Sequence, residues 1–110
     1  MEVKVDMKPL SVNEAWQGRR FKTRAYSRYE HDMLLLLPQV PLPDPPFEVW
    51  YEWGFSNIQS DVGNPEKMVS DILQKKYGFN DNKIMEMHLK KVKVPKGQEY
   101  VKARIEHYGD

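Results

Sequence analysis

The sequence predicts an α+β fold, in which a mixed sheet is covered by two helices in the order β-α-β-α-β-β. Two patterns predict it: some segments alternate apolar and polar residues, as strands with one buried face do, and others carry apolar residues at helical spacing. The length of 110 residues suits a single compact domain spanning 1–110. With 40% hydrophobic and 30% charged residues, the composition is that of a soluble globular protein.

The N-terminal segment predicts one strand followed by a loop. Residues 2–8 alternate charged and apolar side chains, which predicts a half-buried strand that ends at Pro9. Residues 10–22 show no clear periodicity. We therefore expect a loop there, with Gly18 and neighbouring arginines at its tip.

The first helix and the central strand follow. Thr23 is a candidate N-cap for a helix that continues to Leu37 and stops at Pro38. Residues 38–46 contain five prolines and predict an extended connector. Residues 47–53 then alternate apolar side chains with Glu48, Trp50 and Glu52. This alternation predicts a central strand that is partly buried on both faces.

The second helix is predicted from its two ends and its apolar stripe. Asn64 as N-cap and Pro65 at the first helical position favour a start there. Residues 68–73 place apolar side chains on one face. Gly78 is typical of a helix C-terminus, so we expect the helix to end near it.

The C-terminal third predicts a hairpin. Residues 83–94 and 98–107 have strand patterns, and the short connection between them contains Pro95 and Gly97. Proline and glycine between two strand patterns are typical of a tight turn. We therefore expect these two strands to be neighbours in the sheet.

The composition excludes several classes of protein. The chain has no cysteine, which rules out disulfides and thiolate zinc sites. The N-terminus does not resemble a signal peptide, and the longest apolar run, Met33–Leu37, is too short to span a bilayer. We expect a cytoplasmic protein with no membrane partner.

Positive charge is segregated although the net charge is only +1. One basic cluster without acidic residues comprises Arg19, Arg20, Lys22, Arg24 and Arg28. A second basic cluster lies between Lys83 and Lys96, where the acidic residue is Glu86. Such segregation suits a protein that binds phosphates, although each cluster alone is typical of a solvated face.

Four further residues could support phosphodiester chemistry. Asp61 follows a predicted strand, Lys67 and Asp71 lie one turn apart on the second helix, and Asp81 is on the next loop. In an α/β packing these positions can converge at one sheet edge. Carboxylates suit Mg²⁺ or Mn²⁺, which activates water, while a lysine neutralises charge on the phosphate. Alternatively, Asp71 is only a helical partner of Lys67, and Asp81 only a turn residue.

Other chemical signatures are weaker. His31, His88 and His107 are on separate predicted elements without metal-ligand spacing, so we expect surface or packing roles. The sequence contains no glycine-rich phosphate loop and no cysteine nucleophile. No Ser-His-Asp arrangement can be argued from it.

The acidic segment resembles the signature of the RusA family of Holliday junction resolvases. That signature is Asp-x-Asp-Asn-x-x-Lys-x-x-x-Asp, followed by a short span ending in Gly-Phe-x-x-Asp-Asp. The matching residues here are Asp61, Asn64, Lys67, Asp71 and Asp81, with Asn80 where the family often has another acid. The segments 9–13 and 93–97 also resemble the family, so the similarity covers most of the chain.

The resemblance implies a homodimeric, Mg²⁺-dependent endonuclease that resolves four-way DNA junctions by paired symmetric nicks. Phages and prophages often carry such enzymes. The metal would be held by Asp61, Asp71 and Asp81, the transition state would be stabilised by Lys67, and Asn64 would order the metal site or cap the helix. The first basic cluster would hold backbone phosphates. Trp16 or Phe21 could enter the crossover as a wedge, although packing against the first helix is the simpler interpretation of both.

Gly63 departs from the family, which has its second aspartate there. Val62 is apolar and we expect Glu66 to point away, so nothing nearby replaces the carboxylate. The glycine could serve a positive φ, but a family that tolerates aspartate there argues against a backbone need. The chain could be a junction-binding protein with little or no catalysis, a slow enzyme, or an active enzyme carrying an isolated change. An unrelated small binding domain is the remaining interpretation.

Overall fold

A four-stranded mixed sheet and three helices form the body of the protein. The computed structural model describes residues 1–17 and 21–109. The strands are β1 (Glu2–Val5), β2 (Trp16–Gln17), β3 (Phe21–Lys22), β4 (Phe47–Phe55), β5 (Ile84–Lys93) and β6 (Tyr100–His107). The helices are α1 (Val12–Ala15), α2 (Arg24–Leu36) and α3 (Glu66–Tyr77), with a 3-10 turn at Asp81–Lys83. The α+β class and the mixed sheet are confirmed, and α1 is a helix that the sequence did not predict.

Helix α2 begins and ends as expected. The Thr23 hydroxyl accepts a hydrogen bond from the Tyr26 backbone N–H at 3.2 Å, and the helix stops at Leu36, two residues before Pro38. The preceding segment, expected to be a loop, contains α1 and the β2–β3 ribbon. No helix within the described ranges is long and apolar enough to cross a bilayer.

Helix α3 begins slightly later than predicted. Its first residue is Glu66, and no side-chain hydrogen bond caps it, so the expected capping by Asn64 is wrong. The Asn64 backbone N–H instead donates to the Asp61 carbonyl at 3.1 Å and closes a turn. The predicted C-terminus is confirmed, because Gly78 has φ 73° and its N–H donates to the Gln74 carbonyl at 2.9 Å.

The strand order β1-β6-β4-β5 contradicts the predicted hairpin. Strand β4 pairs in parallel with β5 and antiparallel with β6, and therefore lies between them. The turn exists, since Gly97 has φ 93° and the Gln98 N–H donates to the Pro95 carbonyl at 3.0 Å. The connection spans two inter-strand spacings, about 10 Å, because β4 already occupies the adjacent position.

The two faces of β4 differ. On the side that packs in the core, five alternate residues are buried: Phe47, Val49, Tyr51, Trp53 and Phe55. Tyr26, Met33, Met68 and Ile72 of α2 and α3 join the same core. The opposite face, called the open face below, carries Glu48, Trp50 and Glu52 of β4, Glu86, His88 and Lys90 of β5, and Tyr100, Lys102 and Arg104 of β6.

Candidate functional site

The four predicted catalytic residues lie on α3 and on the segments before and after it. Asp61 lies in the loop after β4, and Asp81 lies just before β5. Because β4 and β5 are parallel, those two positions are at opposite ends of the crossover, separated by the 12-residue α3, which is about 18 Å long. Lys67 and Asp71 are one turn apart on that helix. The convergence of these four residues and their catalytic roles stay predictions.

A chain of hydroxyl groups lies beneath the first turns of α3. The Ser70 hydroxyl donates to Glu66 Oε1 at 3.3 Å, so the Tyr51 hydroxyl, 2.9 Å from Ser70 Oγ, is the donor in that pair. Glu66 is thus turned toward the buried Tyr51 rather than away, which corrects the expectation from the sequence. Burial raises the pKa of Tyr51, the Ser70 hydrogen bond opposes this, and the charges of Glu66, Asp71 and Asp81 raise it further. Tyr51 therefore remains a neutral donor.

Gln74 connects α3 to the turn that carries Asp81. The Asp81 backbone N–H donates to Gln74 Oε1 at 2.9 Å, and Gln74 Nε2 donates to the Ser70 carbonyl at 3.1 Å. The pKa of Tyr26, on α2, is raised mainly by burial of its side chain. The negative charge of Asp71 raises it further. The Tyr26 hydroxyl is buried and has no hydrogen-bond partner among the described residues.

The loop that carries Gly63 is fixed without any need for glycine. Trp53 Nε1 donates to the Val62 carbonyl at 2.7 Å, and the Glu66 N–H donates to the Gly63 carbonyl at 3.3 Å. Gly63 is not among the residues with positive φ, and a Cβ built on it meets nothing within 4 Å. The expectation that the backbone does not require glycine here is confirmed.

The three predicted metal ligands do not fit a single Mg²⁺ ion in this arrangement. Octahedral Mg²⁺ at about 2.1 Å from each oxygen requires all ligand oxygens within about 4.2 Å of one another. Within the described ranges, one cluster has ligand atoms from three His, Asp or Glu side chains within 4.8 Å of one another. It consists of Glu48, Glu86 and His88. Asp61, Asp71 and Asp81 form no such group, and no reaction step is derived from a metal there.

Glu48, Glu86 and His88 could hold a metal ion on the open face. His88 Nε2 lies 2.7 Å from Glu48 Oε2 and 3.2 Å from Glu86 Oε2. The hydrogen bond with Glu48, with smaller effects from Glu86, raises the pKa of His88. The pKa of Glu48 is lowered by its hydrogen bonds with Glu86 and with His88. An imidazole with two carboxylates is a donor set that transition metals accept more readily than Mg²⁺ does.

Sequence reasoning missed this group because His88 was considered beside the other histidines. Glu86 and His88 are two residues apart on β5 and so face the same side, a relation visible in the sequence. Glu48 is 38 residues earlier, and the register that pairs it with Glu86 is a tertiary property. The expectation of a surface or packing role for His88 omitted its two carboxylate partners.

Aromatic and cationic side chains stack beside this group. The His88 ring is stacked on the Trp50 ring, with 5.1 Å between centroids and 17° between planes. The Arg104 guanidinium lies 3.9 Å from the centroid of Trp50. Together with Glu52 and Lys102 these residues line a pocket of about 350 Å³ on the open face.

The predicted phosphate-binding residues have different environments. Arg19 and Arg20 lie outside the described residues. Lys22 is paired with Glu30 at 3.0 Å, and Glu30 is also 3.0 Å from Lys75. Burial acts to raise the pKa of Glu30, but the hydrogen bonds from Lys75 and Lys22 lower it on balance. Lys22 is therefore already engaged by a carboxylate.

Arg24 and Arg28 are described members of the cluster that have no carboxylate partner among the described residues. Both are exposed and lie one turn apart at the start of α2. Among the described residues, the ion pairs on α2 are those of Glu30 and the pair His31–Asp32, and neither arginine takes part in them. Their charges are thus available to an anionic partner.

The two candidate wedge residues differ in burial. Trp16 is half-buried and meets Tyr26 edge-on, with ring centroids 5.3 Å apart, so the packing interpretation is confirmed for Trp16. Phe21 is 70% exposed on the short β2–β3 ribbon, so the packing interpretation is wrong for Phe21. An exposed aromatic ring therefore accompanies the basic residues at the start of α2.

No protein-family model and no characterised protein matches the sequence. The resemblance to the RusA family therefore depends on the motif residues and their spacing.

Proposed function

We propose that the protein is a RusA-like protein that binds branched DNA, in particular four-way junctions. The observation that supports this most directly is Phe21, whose side chain is 70% exposed beside basic residues. Solvent exposure of a phenyl ring brings no stabilisation to the free protein. Proteins that bind distorted DNA insert such side chains between bases where stacking is already weakened, as it is at a branch point.

The phosphate backbone would be held by the basic residues near Phe21. Arg24 and Arg28 present two charges on one face of α2, and Arg19 and Arg20 are adjacent in sequence to Phe21. Junction recognition of this kind depends on the positions of phosphates and on shape rather than on base edges. Affinity should therefore fall steeply as salt is raised.

The test compares a labelled four-way junction with a linear duplex of the same sequence, by fluorescence anisotropy at several salt concentrations. The double variant Arg24→Gln/Arg28→Gln should bind both DNAs more weakly, and the slope of log affinity against log salt should become less negative by about 2. Lys4→Gln, which removes an exposed charge of β1 outside both basic clusters, is the control. Equal affinity for junction and duplex at every salt concentration would contradict the proposal.

The second candidate is a structure-specific endonuclease, in which a homodimer makes paired symmetric nicks with Mg²⁺. The motif residues Asp61, Lys67, Asp71 and Asp81 are the basis of this candidate, and Gly63 leaves room for the family's second aspartate, since a Cβ there meets nothing within 4 Å. Two identical sites related by a two-fold axis would supply the two nicks. Asp61, Asp71 and Asp81 form no group of ligand atoms within 4.8 Å of one another among the described residues, and this is the reason that binding is proposed first.

Cleavage of the junction with and without Mg²⁺, by the protein and by Gly63→Asp, separates the two candidates. Paired nicks by the unaltered protein would support the endonuclease. Nicks by the variant alone would indicate a scaffold that lacks one carboxylate. If neither protein nicks a junction that both bind, the endonuclease proposal is rejected and the binding function is kept.

A further inference from the structure

A β-bulge lies at the start of β5, where this strand pairs with β4. The register shifts by one residue after the first pair, so Glu48 pairs with Glu86 and Met85 is the extra residue. Without this extra residue, Glu86 and His88 would fall on the face that packs in the core, because side chains alternate along a strand. The bulge therefore places both side chains on the open face, and bulges re-aim side chains in this way at binding sites.

The shifted register brings two carboxylates and an imidazole together. Glu48 and Glu86 lie directly opposite each other, and like charges in such a pair destabilise a sheet. Ligand atoms about 2.1 Å from a tetrahedral metal ion are about 3.4 Å from one another. The 3.2 Å between His88 Nε2 and Glu86 Oε2 is close to this value. The 2.7 Å between His88 Nε2 and Glu48 Oε2 must widen by about 0.7 Å to reach it, a small movement for side chains at a surface.

Neighbouring side chains orient the imidazole and leave the carboxylates to it. The His88 ring is stacked on Trp50, with 17° between the ring planes, while its Nε2 is directed at both glutamates. The Arg104 guanidinium lies over the Trp50 ring. Within the described part of the chain, the ion pairs of Glu48 and Glu86 are those with His88, so neither carboxylate is paired with a lysine or an arginine.

We propose that Glu48, Glu86 and His88 bind a divalent transition-metal ion of the Zn²⁺ class, with water in the fourth position. Two carboxylates and a neutral imidazole balance the charge of such an ion, and the imidazole selects transition metals over Mg²⁺. Because the ligands come from both β4 and β5, the bound ion links two strands and stabilises the fold. This site is separate from the acidic residues of the RusA-like motif and does not depend on the proposed DNA binding.

His31 provides a matched comparison on the surface of α2. It is exposed, as His88 is, and its Nδ1 lies 3.4 Å from Asp32 Oδ1. Among the described residues, this is the ion pair that His31 makes, so it has one carboxylate neighbour where His88 has two. One imidazole with one carboxylate supplies only two of the ligands that Zn²⁺ requires. A metal that binds any exposed histidine would not distinguish the two positions.

Isothermal titration calorimetry of Zn²⁺ into the metal-free protein tests the site. We expect one ion per chain and no competition from an equal concentration of Mg²⁺. His88→Phe keeps an aromatic ring against Trp50 but removes the ligand nitrogen, and Glu86→Gln keeps the side-chain shape but removes the charge. Each should raise the Kd for Zn²⁺ about tenfold or more, because the loss of even an outer-shell partner of a metal costs about that much. His31→Phe should leave the Kd unchanged.

Thermal unfolding gives a second measurement of the same site. Zn²⁺ should raise the unfolding temperature of the protein and of His31→Phe, EDTA should reverse the rise, and both β5 variants should show a smaller rise. The altered side chains are exposed, so every variant should fold without metal, and unfolding in EDTA verifies this. Three results would overturn the proposal: no Zn²⁺ binding by the unaltered protein, binding that both β5 variants retain, or an equal loss in His31→Phe. These measurements contain no DNA, so their failure leaves the proposed function intact.

Discussion

Replacing Phe21 by alanine separates a role in DNA binding from a role in folding. The residue is 70% exposed, so folding buries less than a third of it. Full burial of a phenylalanine side chain contributes about 1.5–3 kcal/mol, and a third of that is about 0.5–1 kcal/mol. Phe21→Ala should therefore unfold in urea close to the wild-type midpoint. Stacking of a base on an aromatic ring is worth about 1–3 kcal/mol, so junction affinity should fall about 5- to 150-fold.

The assay is anisotropy with a labelled junction and with linear duplex, at one fixed salt concentration. Affinity for the junction should fall much more than affinity for the duplex, since only the junction offers an opening for the ring. Trp16→Ala is the comparison, because Trp16 is half-buried against Tyr26 and its loss should reduce stability. A Phe21→Ala protein that keeps the wild-type preference for the junction would refute the reasoning.

Three further changes probe other parts of the fold. Gly54→Ala places a Cβ against the Tyr100 ring and should cost about 1–3 kcal/mol; an unchanged urea midpoint would contradict this. Glu48→Gln should lower the pKa of His88, measured by NMR in chelator. The His88–Glu48 pair stabilises the fold fully at pH values below about 6.5, the ordinary histidine pKa. This contribution is lost as pH rises through the higher pKa that His88 has in the folded protein. A His88 titration that does not move in the variant would exclude the contact. Thr23→Ala should cost about 1 kcal/mol in thermal unfolding, unless its cap contributes nothing.

Local features of the fold were predictable from the sequence. The Thr23 cap, the end of α3 at Gly78 and the alternation along β4 all depend on residues within a few positions of one another. Such signals act through backbone geometry and one buried face, so they appear in the sequence itself. The start of α3 was misplaced because Asn64 uses its backbone in a turn rather than its side chain as a cap.

Relations between distant segments were not predictable. Pro95 and Gly97 do form a turn, but nothing in them indicates that β6 pairs with β4 rather than with β5. For the same reason Glu48 was not connected with His88. The spacing of Asp61, Asp71 and Asp81 in the sequence likewise could not show that their ligand atoms form no group within 4.8 Å of one another, because that too is a tertiary property. Burial of Phe21 could not be judged because β3 has only two residues, too few for a periodic pattern.

The position of β6 between β1 and β4 has a consequence for how the chain folds. β1 and β6 pair residues about 100 positions apart, as Glu2 with Arg104, whereas β4, α3 and β5 are contiguous in the sequence. Because long loops must close before such distant pairs form, we expect the contiguous unit to form first and the insertion of β6 to limit the rate. If β6 has begun to insert in the transition state, substitutions of its core residues should slow folding. The φ-value of a substitution at Ile105 would measure how far this insertion has progressed.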